Sequence, residues 1–359
     1  MTVTEAGTAE LDLRAARARV DEVLRSLLAQ KETGPCGEHL AVPLEVLRDF
    51  LRGGKRVRPL YCWVGWHAAG GGPEEEAMLR VAAGLELFHA FALLHDDVID
   101  RSDTRRGAPT VHRVLAARSG GPRGDWYGQS AAILLGDLCQ VWSAELFGAL
   151  EPAPAEGSLT SPRGLIDRMR AEMLVGQLLD VAQPDGGFRS ADSALRVAYY
   201  KTTLYSVKRP LQIGAALAGA DGPVLDALAA YAEPLGEAFQ LHNDLEDLSP
   251  RDRGTGGDDL REGKQTVVLA LAVERASAAQ AGRLRELVGS ADLDDAGVSE
   301  ARALIEATGA PATVRGMIAR KRQQALTAVD RAGFSAASRA ALMRVADLGL
   351  SGFVPPGGA

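Results

Sequence analysis

Cysteine is scarce in this sequence and follows no pattern. Cys36, Cys62 and Cys139 are an odd number without metal-ligand spacing, which argues against a disulfide framework or a zinc site and fits reduced thiols filling a core. Positive charge is also short: 40 Lys and Arg against 47 Asp and Glu leave −7, which argues against general nucleic-acid binding. Basic residues gather only locally, at 52–58 and 101–106, as a small anionic substrate requires. No apolar run reaches about 20 residues without a charge or glycine. Nothing alternates with period two for long enough to make a sheet, and no Pro/Ser/Gly linker separates two compositions. The N-terminus is polar and mildly acidic without a signal-peptide pattern. The expectation is a cytoplasmic protein with no stable membrane insertion and no nucleic-acid partner.

What the sequence does have is a helical hydrophobic rhythm. Leu11, Leu13, Val20, Val23, Leu24, Leu27 and Leu28 fall at helical spacing within 10–30. Similar patterns recur at 43–51, 58–69, 74–101, 128–149, 162–182, 190–218, 223–249, 264–290, 296–308, 310–332 and 335–350. Abundant Ala and Leu support the same assignment. The expected architecture is an all-α bundle forming a single domain over 1–359. Residues 1–10 and 354–359 are expected to be disordered, and loops 118–127, 151–162 and 249–257 mobile. The last of these lies between an acidic cluster and Lys264, so it can fold over a ligand held at Asp244.

The strongest chemical signal lies at 93–107. An apolar run, Leu85 to Leu94, closes on Asp96, Asp97 and Asp100. At about 100° per residue, Asp96 and Asp100 share a helix face with Asp97 beside them. Three carboxylates so placed repel one another unless a cation neutralises them. Mg²⁺ suits them, because it takes hard oxygen ligands, usually one or two carboxylates plus substrate phosphates. Arg105 and Arg106 follow, positioned to pair with outer phosphate oxygens.

Alone, Asp-Asp-x-x-Asp is more often a solvated helix end. A second stretch changes the balance: 238–247 repeats the layout with Asn243, Asp244 and Asp247. Two such clusters can face each other across a helical bundle with metal and diphosphate between them. Gly53-Gly54-Lys55-Arg56-Val57-Arg58-Pro59 sets cations beside glycines at a helix start, a second phosphate site in which Lys55 and Arg58 supply the charge. His89 lies two turns before Asp96 on nearly the same face and reads as a ligand contact. Gln240 is one turn from Asn243 and Asp244, so it faces the cavity if they do. His39, His67, His95 and His112 are assigned to packing or surface, and Asp137 and Asp180 to helix packing.

Taken with Ser130–Asp137, Gly176-Gln177-Leu178-Leu179-Asp180, Lys201-Thr202, Arg209-Pro210-Leu211 and Asp259-Leu260-Arg261-Glu262-Gly263-Lys264, this order resembles the trans-isoprenyl diphosphate synthases, the polyprenyl synthetase family. It covers about 40–350 and is similar to the family's actinobacterial geranylgeranyl diphosphate synthase type. The resemblance implies an isoprenoid-synthase helical bundle around a central cavity, a homodimer, and Mg²⁺-dependent condensation of an allylic diphosphate with isopentenyl diphosphate. It implies Mg²⁺ held by Asp96, Asp97, Asp100 and Asp244, with Asn243 and Asp247 in support. Arg105, Lys201 and Lys264 would bind the allylic diphosphate. Lys55, Arg58, His89 and Arg106 would bind isopentenyl diphosphate. Thr202 and Gln240 would offer oxygen dipoles near the allylic cation, giving Lys201, Thr202 and Gln240 catalytic roles.

Phe91 stands five residues before Asp96, roughly 7.5 Å down the helix, while small Ala92 lies almost directly below Asp96. The growing chain is expected to pass Ala92 and stop near Phe91. By resemblance that pattern implies a geranylgeranyl (C20) product, with C15 next. The sequence departs from the family at Asn243, where Asp is usual, at His242, in a short following loop without its usual Lys, and in a neutral Pro-Pro-Gly-Gly tail. Three rivals follow: a same-fold enzyme with another acceptor such as indole-3-glycerol phosphate, a terpene cyclase, and a non-catalytic subunit of a heteromer.

Overall fold

The first helix, α1 (Leu13–Thr33), starts where the Asp12 carboxylate accepts backbone N–H bonds from Arg14 and Ala15 at 2.8 and 3.2 Å, satisfying donors a helix start leaves open. The structure is a computed structural model that describes residues 11–72, 75–105, 107–148, 160–182, 187–249 and 256–351. The order continues with α2 (Gly37–Leu51), α3 (Val57–Ala68) and α4 (Glu76–Ile99), then a short antiparallel hairpin of β1 (Thr104–Arg105) and β2 (Ala108–Pro109). After it come α5 (Val111–Ser119), α6 (Gly124–Phe147), α7 (Pro162–Val181), α8 (Ala191–Ala198), a π-helical segment (Tyr199–Lys208) and α9 (Arg209–Leu217). The chain ends in α10 (Gly222–Leu248), α11 (Asp258–Arg261), α12 (Val267–Arg275), α13 (Ala278–Leu287), α14 (Asp295–Ala307), α15 (Ala310–Arg331) and α16 (Ala336–Gly349). The all-α expectation holds.

Helix α4 is the centre. Leu79, Val81, Leu85, Leu87, Phe88 and Leu94 are all buried, so it is apolar on every side, as a helix enclosed by others must be. Helix α6 lies against it and is tied by the Ser143 hydroxyl, which donates to the Gly84 carbonyl at 2.7 Å. On the far side Tyr231 of α10 donates to the Leu342 carbonyl of α16 at 2.7 Å. Buried apolar residues from α1 to the end of α16 join in one continuous cluster.

Arg80, Gly84 and Glu86 interrupt the apolar run of α4, and 72% of its most apolar stretch is packed inside the bundle as a core helix, although by length and composition it could cross a membrane. Two expectations need correction. Loop 118–127 shrinks to 120–123, because α5 runs to Ser119 and α6 begins at Gly124. The single helix expected at 264–290 starts later, at the Thr266 cap of α12, and is broken once, where Ser277 with Gln280 forms a reciprocal capping box that starts α13. Helix α5 was not foreseen. The expected disorder at 1–10 and 354–359 lies outside the described residues, as do most of loop 151–162 and residues 250–255 of the third loop.

Candidate active site

Helix α4 carries its carboxylates at its C-terminal end: Asp96 and Asp97 in the last turn and Asp100 as the capping residue. Asn243, Asp244 and Asp247 occupy the corresponding end of α10. A helix C-terminus already bears partial negative charge, so both positions are unfavourable for carboxylates without nearby cations.

Three cations reach in, each from a different element. Arg105 of β1 brings Nε and Nη2 to 2.8 and 2.6 Å from Asp97 Oδ1. Lys201 of the π-helical segment bonds Asp96 Oδ1 at 3.0 Å and Asp180 Oδ2 at 2.7 Å. Lys264, after α11, lies 3.1 Å from Asp100, 3.4 Å from Asp259 and 2.6 Å from Glu262. Burial tends to raise the Asp96 pKa, but Lys201, Lys264 and Arg105 outweigh it and hold the carboxyl below its ordinary value. Burial and the Asp96 charge push Asp100 up to about 6 despite Lys264. Asp244 is also pushed to about 6 by burial, against the Gln240 amide that donates to it at 2.7 Å. Burial raises Asp259 to about 8, with Lys264 opposing.

One cavity of about 1010 Å³ gathers these groups. Lys55, Arg58, His89, Phe91, Ala92, Asp96, Arg105, Lys201, Thr202, Gln240, Asn243, Asp247 and Lys264 line it. Asp97, Asp100 and Asp244 are joined to lining residues by direct contacts to Arg105, Lys264 and Gln240. The Asp97 side chain is only 2% exposed. Arg106 lies outside the described residues. Asp247 has one carboxylate oxygen on the Asp259 N–H at 3.0 Å, fixing the start of α11.

Also on the cavity wall, Arg58 donates to Ser206 Oγ at 2.6 Å and stacks 4.4 Å above the Tyr205 ring. The Tyr205 hydroxyl is 3.0 Å from His89 Nδ1. Lys55 donates to the Ser351 hydroxyl at 2.7 Å. Arg56, between them in sequence, has a different role. Its φ of +53° turns it inward, where it bonds Asp21 at 2.7 Å and Glu86 at 2.8 Å.

The π-helical segment presents Lys201, Thr202 and Tyr205 to the cavity, with Thr202 donating to Gln240 Oε1 at 2.6 Å. Glycines allow its close approach from both flanks: a Cβ on Gly176 of α7 would stand 2.4 Å from the Lys201 nitrogen, and one on Gly236 of α10 would stand 2.8 Å from Thr203. Each i→i+5 turn takes up one more residue than an α turn, so no 3.6-residue pattern foretells which side chains face inward. Tyr205 and Ser206 were missed for that reason. Gln177, which donates to Asp96 at 2.9 Å, and Glu262 were also given no role. Their place in Gly-Gln-x-x-Asp and Glu-Gly-Lys, beside charged residues, was the available signal.

The donor chemistry fits Mg²⁺: the candidate ligands are hard oxygens, and Asp97 Oδ2 is buried with no hydrogen-bond partner among the described residues. Among those residues no three His, Cys, Asp or Glu side chains gather into a cage of their own. Lysines and Arg105 hold the carboxylates instead, which suits an ion that arrives with substrate phosphates better than a permanently caged one.

The family model for Polyprenyl synthetase matches residues 42–305. A short chain isoprenyl diphosphate synthase of Methanothermobacter thermautotrophicus is 32% identical over 72% of this chain and 74% of its own length. A nonaprenyl diphosphate synthase of Mycobacterium tuberculosis is 28% identical over 87% of this chain and 85% of its own. The crystal structure of geranylgeranyl pyrophosphate synthase from Corynebacterium glutamicum, complexed with isoprenyl diphosphate and magnesium, is 35% identical. It superposes with a TM-score of 0.87 over 95% of this chain and 99% of that one.

Proposed function

The chain belongs to the polyprenyl synthetase family, and from that premise we propose that it condenses an allylic diphosphate with isopentenyl diphosphate to yield geranylgeranyl diphosphate. It is a prenyltransferase. The observation that carries the finer reading is the single cavity in which Asp96, Asn243 and Asp247 stand with Lys55, Arg58, Lys201 and Lys264, and whose apolar wall includes Phe91 and Ala92.

In this reading Arg105, Lys201 and Lys264 bind the allylic diphosphate, and Lys55, Arg58, His89 and Arg106 bind the acceptor. Asp96, Asp97, Asp100 and Asp244, aided by Asn243 and Asp247, hold Mg²⁺, which when bound stabilises the charge of the leaving diphosphate. The allylic C–O bond breaks, the acceptor alkene attacks to form a C–C bond, and a proton passes to the departed diphosphate. Thr202 and Gln240, hydrogen-bonded to each other on the cavity wall, would offer oxygen dipoles to the cationic carbon, and Phe91, Leu174 and Phe239 would keep water from it. Because lysines already hold the carboxylates, Mg²⁺ alone should bind weakly, and Mg²⁺ with inorganic diphosphate more than tenfold tighter. Calorimetric titration reads the difference, and equal affinities would reject the shared role.

The proposal takes the chain as one domain, supported by its continuous core. It includes a homodimer, supported by an apolar face on α6 and α7 where Leu134 and Leu178 are 63% and 67% exposed. It includes a cytoplasmic location without membrane insertion, supported by three free cysteines and a buried α4. C20 is supported by Phe91 on the cavity wall. Incubation of the purified chain with isopentenyl diphosphate and a short allylic donor, in parallel with an indole phosphate acceptor, tests the reading. A longer diphosphate in the first arm supports it. Product only in the second transfers the assignment to the other acceptor, and no product in either leaves the non-catalytic subunit.

A further inference from the structure

Below the first acidic cluster the cavity wall becomes a stack of rings. Phe91 lies 5.3 Å from Phe88 and 4.7 Å from His95, edge to face at 61°. Phe88 is fully buried and rests edge-on against Tyr205 at 5.9 Å, so it is fixed from behind. His95 lines the cavity and is one helical turn after Phe91, on the same face of α4. Its Nε2 is 3.0 Å from the Ile133 carbonyl of α6, a bond in which Nε2 must be the donor. Helix α6 also presents Gly136 to the same ring. A Cβ there would stand 2.4 Å from His95 Cδ2 and 2.6 Å from Nε2.

The imidazole therefore occupies the space a side chain at 136 would need, with the α6 backbone behind it and Phe91 in front. Phe91 has Phe88 on one side and His95 on the other, so it can turn aside for a longer chain only where His95 gives way. The outer helix, α6, thus fixes a ring on the inner wall through the Ile133 carbonyl, the Asp137 carboxylate 3.5 Å from Nε2, and one missing side chain.

We propose that His95 and Gly136 set the product length, His95 as the positioning residue that holds Phe91 across the path of the growing chain and Gly136 as the residue that leaves room for it. The inference rests on the prenyl-elongation reading above and adds to it a control that lies outside the diphosphate and metal-binding groups.

The test compares product lengths from isopentenyl diphosphate and a short allylic donor, with enzyme in excess so that slow variants still report. His95→Ala should lengthen the main product by at least one isoprene unit. Gly136→Ala, which drives the imidazole toward Phe91, should shorten it. His95→Gln, whose amide can still donate to Ile133, should stay near the wild-type distribution. The double variant Gly136→Ala/His95→Ala should regain the melting temperature that Gly136→Ala loses, since the clash is gone. If Gly136→Ala does not fold, the two His95 variants decide. A wild-type enzyme that elongates, with His95→Ala and Gly136→Ala both giving its product distribution, overturns this inference alone. A wild-type enzyme that makes no longer diphosphate overturns the reading beneath it.

Discussion

Replacing Asp97 by alanine separates packing from catalysis in the first acidic cluster. The carboxylate accepts two bonds from Arg105 at 2.6 and 2.8 Å, and its side chain is only 2% exposed against 26% for Arg105. Breaking a buried pair by removing one partner costs about 3–5 kcal/mol. Here Arg105 keeps a second, weaker partner, Asp96, at 3.8 Å. It is also partly solvated, so about 2–3 kcal/mol is expected, in the range of hydrogen bonds to charged groups. For a chain of this size that is roughly 3–4 °C in melting temperature. Turnover should fall to near zero, because Asp97 is a proposed Mg²⁺ ligand. Asp97→Asn, which keeps an oxygen toward Arg105, should lose less stability and still lose turnover. Thermal unfolding by circular dichroism and a prenyl-transfer assay across Mg²⁺ concentrations measure the two effects. Unchanged melting would refute the pair's structural role, and wild-type turnover would refute the metal role.

Arg56→Met should cost about 3–5 kcal/mol, since it strands Glu86, only 7% exposed, inside the bundle. A shift in urea midpoint with unchanged KM would fit, whereas a raised KM without lost stability would make Arg56 a substrate cation instead. Phe91→Ala should lengthen the product, read by chromatography of the dephosphorylated chains; an unchanged length would place the floor elsewhere, at Phe88 or on a facing helix. Asn243→Asp adds a charge beside Asp244 and should lower the Mg²⁺ concentration for half-maximal rate without changing the product. Lower activity at every Mg²⁺ concentration would mean that the Asn amide donates to a diphosphate oxygen.

The helices were legible where apolar rhythm and starting residues agree, as at Asp221 and Ser335, which cap helices with their own side chains; the Ser277 cap falls within the continuous apolar rhythm of 264–290, which hides it. The acidic clusters were legible because carboxylates at the end of an apolar helix have no packing reason to be there. Three features were not. Lys55, Arg56 and Arg58 look alike as charges, and only the left-handed backbone at Arg56 turns one of them into the core. The π-helical segment depends on Gly176 and Gly236 of other helices, a tertiary condition without a local mark. His95 read as a packing residue because its significance lies in Gly136, 41 positions away in sequence but adjacent in space.

The arrangement of cations explains how so acidic a site stays folded before substrate arrives. Carboxylates at the ends of α4 and α10 meet the negative ends of their own helices as well as one another, a combination that would open the bundle if left alone. Arg105, Lys201 and Lys264 counter it from three elements, and they are the same residues assigned to the allylic diphosphate. In the proposed reaction they exchange partners: Asp96, Asp97 and Asp100 would pass from ammonium and guanidinium groups to Mg²⁺ while those groups pass to phosphate oxygens, so these three carboxylates keep an opposite neighbour with or without substrate. The cost is that neither Mg²⁺ nor diphosphate alone can complete the exchange. An ion bound alone would leave Lys201 and Lys264 facing a cation, and a diphosphate alone would face Asp96 and Asp100. The two are expected to enter as a complex for that electrostatic reason.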